Sequence, residues 1–143
     1  MVRILFVCTG NTCRSPMAEA ILASKKLPDV EVRSAGVYAM DGLHASENAK
    51  VVLSENQIEH NHRSSLLTPQ DVEWATYVFT MTGSHKEAIL YNFPTAKDKV
   101  FTIKEFVGDG YQDVIDPFGG NVEIYRKTFQ ELSQMVDKII KKL

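Results

Sequence analysis

Little in this chain is present in excess, and each shortage closes off a class of function. Two cysteines among 143 residues are too few for a disulfide framework, and Cys8 and Cys13 lack the companion ligand pair that a zinc site built on spaced cysteines needs. Sixteen Lys and Arg against 18 Asp and Glu leave a formal net charge of −2, so no surplus of positive charge exists to hold a nucleic-acid backbone. Any anion site must therefore be local. Apolar runs such as Ile4-Leu5-Phe6-Val7 fall far short of the roughly 18–20 residues of a membrane span. The start, Met1-Val2-Arg3 followed by a strand-like run, has no signal-peptide pattern. These absences predict a cytoplasmic protein without a nucleic-acid or membrane partner, and no feature asks for more than a monomer. What is present, 44% apolar and 24% charged residues, suits one domain over residues 1–143.

Residues 2–7 are almost all apolar and rich in β-branched or aromatic side chains, as in a strand buried on both faces of a parallel sheet. The run stops at a polar loop, residues 8–15, after which Ser15 as N-cap and Pro16 as first helical residue open a helix through Ala23. Further strands are expected at 30–34, 77–81 and 100–103, with helices at about 46–55, from Thr68-Pro69, and at 84–91. Asn121 caps a last helix whose stripe Val122, Tyr125, Phe129, Leu132, Val136, Ile139 and Leu143 steps at helical spacing and reads as core. The alternation predicts an α/β architecture of three layers, with a four-stranded parallel sheet between helices and a ligand site beyond the carboxyl ends of the strands. Lys25-Lys26 and Lys141-Lys142 read as solvated helix ends, and His44, His60 and His85 as surface residues.

The loop Cys8-Thr9-Gly10-Asn11-Thr12-Cys13-Arg14-Ser15 sits at such a strand end. Gly10 and Asn11 tolerate left-handed backbone, which lets a tight loop turn its N–H groups inward. That concavity, closed by the positive end of the following helix, is an anion cradle, and Arg14 adds a planar charged fork able to hold two phosphate oxygens. Cys8 enters from the strand, where the same groups favour negative charge on sulfur. A thiolate beneath a bound phosphoryl group can attack phosphorus in line and form a cysteinyl-phosphate intermediate, with no metal or other cofactor.

Cys-x5-Arg-Ser after a first strand, continued by Pro16-Met17-Ala18-Glu19 and joined to a late Asp116-Pro117, resembles the low-molecular-weight protein tyrosine phosphatase family along the whole chain. The resemblance implies that family's flavodoxin-like fold. It makes Cys8 the nucleophile, Arg14 the phosphate clamp and Ser15 a hydrogen-bond partner of the Cys8 sulfur. Asn11 would lock the loop in a network with Ser34 and His62. Asp116 would be the general acid and then base, with Asp113 as a nearby rival that lacks the proline.

Two positions bear on the substrate. Thr12 stands where tyrosine-specific members carry a bulky aliphatic residue, and Phe118 is followed by Gly119 rather than a second aromatic residue. In this the chain resembles the bacterial protein arginine phosphatases of the same family, which oppose an arginine kinase in stress response. The chemistry agrees: a small hydroxylated side chain leaves room for a planar guanidinium, whereas an aliphatic one would desolvate it without a partner. Asp116 can pair with that guanidinium, Phe118 can stack on it, and Tyr38 is a second candidate wall. Phosphoarginine in proteins is thus the favoured substrate, with phosphotyrosine the alternative. An arsenate reductase would need a further cysteine pair after Cys13, and a silent phosphate-binding module would have lost its nucleophile or acid. Cys13 either packs or forms a protective disulfide with Cys8 under oxidation.

Overall fold

In a computed structural model, which describes residues 1–110 and 113–143, four strands form one parallel sheet in the order β2-β1-β3-β4. The strands are β1 (Val2–Cys8), β2 (Val30–Gly36), β3 (Tyr77–Thr80) and β4 (Val100–Thr102). The Ile4-Leu5-Phe6-Val7 run is fully buried because β1 is central, hydrogen-bonded to β2 and β3. Its side chains alternate: Ile4 and Phe6 pack with α1 (Arg14–Ser24), α2 (Glu47–Glu55) and α6 (Val122–Lys142), while Leu5 and Val7 pack with α3 (Pro69–Trp74) and α4 (Gly83–Asn92). The strand order reverses at β1, and the loop that leaves β1 therefore opens into the crevice at the carboxyl edge.

Several boundaries depart from the sequence reading for identifiable reasons. Strand β2 runs on through Ala35 and Gly36, which stay in register with Val7 and Cys8. Residue 103, expected in a strand, instead begins a short helix, α5 (Ile103–Val107), because Thr102 and Glu105 form a capping box. In α6, Tyr125, Phe129, Leu132, Val136 and Ile139 are buried as expected. Val122 is only partly buried and Leu143 is 42% exposed, since the helix outruns the core at both ends. Lys25 is not simply solvated: it reaches Asp137 of α6 at 3.2 Å. Among the described residues, no helix is long and apolar enough to cross a membrane.

Candidate active site

The helix after the loop begins at Arg14, and Ser15 is not its cap. The reason is chemical. The Ser15 hydroxyl lies 2.8 Å from the Cys8 sulfur and accepts a hydrogen bond from Asn11 Nδ2, also at 2.8 Å. With the amide donating to Oγ, the hydroxyl proton is free to point at sulfur, and Cys13 takes the N-cap position with no side-chain cap bond.

The loop around Cys8 turns at Asn11, whose φ of 56° is left-handed; Gly10, credited with the same freedom, does not use it. Along the loop the carbonyls point outward: Cys8 and Thr9 accept from the N–H groups of Val37 and Tyr38, Asn11 from His62 Nε2 at 2.6 Å, and Thr12 from the N–H of Ser46. Among the described residues, the N–H groups of Gly10 to Cys13 have no protein acceptor, which leaves them for an anion. A glycine that the sequence reading missed makes this possible. Any Cβ on Gly36 would sit 2.4 Å from the Thr9 carbonyl oxygen and 2.9 Å from the Asn11 nitrogen. Its signal was its place at the end of the strand beside β1.

Asn11 is buried and every polar atom of its side chain is committed. Its Nδ2 donates to Ser15 Oγ and, at 2.9 Å, to Ser34 Oγ, while Oδ1 accepts from the N–H of Ser65 at 2.9 Å, which fixes the amide orientation. The Ser34 hydroxyl donates in turn to Glu19 Oε1 at 2.5 Å. Ser34 and His62 thus do meet Asn11, and the network extends to Glu19 and Ser65, which were not foreseen as members. His60, expected on the surface, is half-buried with Nε2 3.5 Å from Glu19 Oε1.

Burial alone would raise the Glu19 pKa, but hydrogen bonds from His60, His62 and Ser34 outweigh it and bring the group from 4.5 to about 2. A carboxylate with a depressed folded pKa stabilises the fold above its unfolded pKa. That stability is lost as pH falls from about 4.5 to about 2. Glu19→Gln should therefore cost on the order of 2–3 kcal/mol in urea unfolding at neutral pH, and the difference from wild type should close toward pH 2. A difference that stays constant with pH would contradict this role.

Arg14 is 4% exposed; its Nη1 donates to the Val114 carbonyl at 2.8 Å, and its Nη2 lies 3.6 Å from Asp116 Oδ2. Its buried Nε has no hydrogen-bond partner among the described residues, so one prong of the fork remains for a bound oxygen. The segment carrying Asp116 is pinned behind it: Val114 is buried with its N–H on the Met81 carbonyl, and Asp113 accepts from the N–H of Gly83 at 2.9 Å. That bond separates the two aspartates. Asp113 fastens the segment, while the Asp116 side chain is half exposed, with Oδ1 accepting from the N–H of Phe118.

Phe118 is 77% exposed and Tyr38 78%, both open to solvent as walls would be. Tyr38, however, also lines a groove with Leu66, Ile89 and Phe93. Thr12 is half-buried, and its hydroxyl is only 3.8 Å from the Cys13 sulfur, too far for a firm bond. The Cys13 sulfur itself lies 3.3 Å from the Tyr125 hydroxyl, whose pKa is raised to about 12 by burial and by that cysteine. Tyr125, read from sequence as a core residue alone, also touches the loop.

His85 corrects the sequence reading most clearly. It is buried, and its Nε2 lies 2.8 Å from Thr9 Oγ1. The cap residue Thr82, accepting from the His85 N–H, sets α4 so that the ring turns inward. Burial first, and then the charge of Arg14, lower its pKa from 6.5 to about 4. The ring is neutral at neutral pH and adds no second cation beside the loop.

A loop of free N–H groups that follows a cysteine at the end of the central strand, on a sheet of this order, finds its counterpart in one family model. The description "Low molecular weight phosphotyrosine protein phosphatase" matches residues 3–143. The chain belongs to this family. Among its relatives is a protein-arginine-phosphatase from Geobacillus stearothermophilus, 55% identical over 99% of this chain and 95% of that one. The solved arginine phosphatase from the same organism superposes with a TM-score of 0.97 at 54% identity, covering 99% of this chain and 92% of that one. A low molecular weight protein tyrosine phosphatase from T. tengcongensis superposes at 0.94, with 49% identity over the whole of both chains. The fold is thus that of the low molecular weight phosphatases. The relatives' names divide between two substrates, so the choice between them turns on the chemistry of the pocket.

Proposed function

We propose that this phosphatase hydrolyses phosphoarginine in proteins, with Cys8 as nucleophile, Arg14 as phosphate clamp and Asp116 as proton donor and acceptor. The observation that carries the reading is the buried Arg14, with its unpartnered Nε beside the free loop N–H groups and the Ser15-bonded Cys8 sulfur. In the first step the sulfur attacks phosphorus, the P–N bond breaks, and Asp116 gives its proton to the departing guanidino nitrogen. In the second, water attacks phosphorus, its proton passes to Asp116, and the P–S bond breaks. The Ser15 hydroxyl then steadies the returning sulfur charge. Loop N–H groups and Arg14 hold the equatorial oxygens throughout. The compartment we assign is the cytoplasm, and the substrate a phosphorylated protein.

Phosphoarginine is favoured by the uncommitted Thr12 hydroxyl and by the half-exposed Asp116 carboxylate, which together offer a guanidinium two partners. The 55% identity to a protein-arginine-phosphatase supports the same choice. The test compares kcat/KM for phosphoarginine and phosphotyrosine peptides on wild type and Thr12→Ile. Removing the hydroxyl partner and crowding the guanidinium should cost phosphoarginine about 5- to 150-fold, from about 1–3 kcal/mol, while phosphotyrosine hydrolysis holds or rises. A wild type already about tenfold better on phosphotyrosine, a difference of about 1.4 kcal/mol, would make the phosphotyrosine reading the correct one.

A further inference from the structure

The fold gathers three side chains that the sequence reading did not join. Glu19 Oε1, His60 Nε2 and His62 Nδ1 all lie within 4.8 Å of one another, with His60 and His62 at 3.5 and 3.6 Å from the carboxylate oxygen. From these we infer a binding site for a divalent transition-metal ion of the zinc type, set behind the phosphate loop and separate from its chemistry. The reading stands whichever phosphoryl substrate the enzyme takes.

The donor set and its spacing suit such an ion. Two imidazole nitrogens and one carboxylate oxygen are common zinc ligands. Bonds of about 2.0–2.1 Å at tetrahedral angles place ligand atoms roughly 3.3 Å apart, close to the two shorter separations here. The orientation of His62 is the sharper argument. Its Nε2 donates to the Asn11 carbonyl at 2.6 Å, which turns Nδ1 toward Glu19, 3.6 Å from the carboxylate oxygen. A metal ion bound here takes the place of the proton that otherwise bridges Nδ1 and the carboxylate, as ligation of a histidine requires.

The surrounding contacts resemble those that orient ligands in metal sites: the distal N–H of one histidine rests on a backbone carbonyl, and the carboxylate accepts a hydroxyl from Ser34. A cavity of about 270 Å³ borders all three residues and leaves room for a water as fourth ligand. Arg33 and Arg63 also line it, but both are turned aside: the Arg33 guanidinium lies 4.2 Å over the Trp74 ring and Arg63 is bonded to His44. An ion bound here would tie α1 and the segment around His60 to the Asn11 turn, through one hydrogen bond.

The test uses untagged full-length protein and Co2+, whose spectrum reports its ligands, with Zn2+ in competition. Wild type should bind one Co2+ per chain with visible d–d bands and no thiolate-to-cobalt charge-transfer band. Cys8→Ser should bind equally well, and His60→Gln about tenfold or more weakly. His60→Cys should restore binding and bring in the charge-transfer band, which a merely structural role for residue 60 would not produce. Zn2+ at about 100 times its Kd should raise the wild-type Tm by about 5–10 °C. The assignment fails if His60→Gln and His60→Cys both bind Co2+ as wild type does. It fails equally if the wild-type spectrum shows a thiolate band that Cys8→Ser removes, because the ion then sits on the nucleophile.

Discussion

Cys8→Ser is expected to lose turnover by about four orders of magnitude or more while still binding inorganic phosphate. The two halves of this result have different origins. Phosphate affinity resides in the loop N–H groups, the helix end and Arg14, none of which depends on sulfur. Serine is nearly isosteric with cysteine, so the cradle should keep its shape, held by Asn11 and the outward carbonyl bonds. What disappears is the sulfur nucleophile, intrinsically far more reactive toward phosphorus than a serine hydroxyl. Alkoxide formation is far harder, and no histidine base sits beside the residue to help: the described contact of the Cys8 side chain is the Ser15 hydroxyl. Turnover by kcat and phosphate binding by calorimetry separate these terms. Retained turnover would mean that another group attacks phosphorus, and lost phosphate binding would mean that the cradle depends on the sulfur.

Asp116→Asn should show the second largest effect, and the leaving group should decide its size. For phosphoarginine or an alkyl phosphate, whose leaving group needs a proton, kcat should fall by about 10²–10⁴. For p-nitrophenyl phosphate the first step should hardly change, because nitrophenolate departs unprotonated. Asp113→Asn should instead act on the placement of the segment, since that carboxylate is spent on the Gly83 N–H, and its loss should not vary with the leaving group. Equal losses in the first-step rate for good and poor leaving groups, read from single-turnover release, would remove Asp116 from protonating the leaving group.

The parts of the site that were legible in the sequence are the parts built from neighbours in the chain. A buried apolar strand, a polar turn and a helix start lie within 15 residues, so Cys8, Arg14 and the left-handed Asn11 could be placed by local rules. Asp116, which the family resemblance singles out by its proline, lies 3.6 Å from Arg14 in the fold. The alternation of strands with helices and the burial of α6 follow from periodicity in the same way, whereas the strand order came from the fold. What the sequence hid depends on tertiary approach. Gly36 matters only because its strand passes against the loop backbone, and His85 only because α4 turns its ring onto Thr9. Neither spacing nor propensity distinguishes a buried histidine from a solvated one. Ser15 misled because a serine before a proline at a helix start usually caps, and here the hydroxyl has a sulfur to serve. Glu19, His60 and His62 come from two distant segments and meet only in the folded chain.

The most direct measurement is a rapid-quench experiment on Asp116→Asn with p-nitrophenyl phosphate, followed by peptide mass spectrometry. The variant keeps the first step and slows the second, which needs the carboxylate to take a proton from water. A burst of about one nitrophenolate per active site, with the phosphoryl group found on the peptide at Cys8, is the predicted outcome. A phosphoryl group on another residue, or turnover of this variant with neither burst nor phosphorylated peptide, would contradict the cysteinyl-phosphate route.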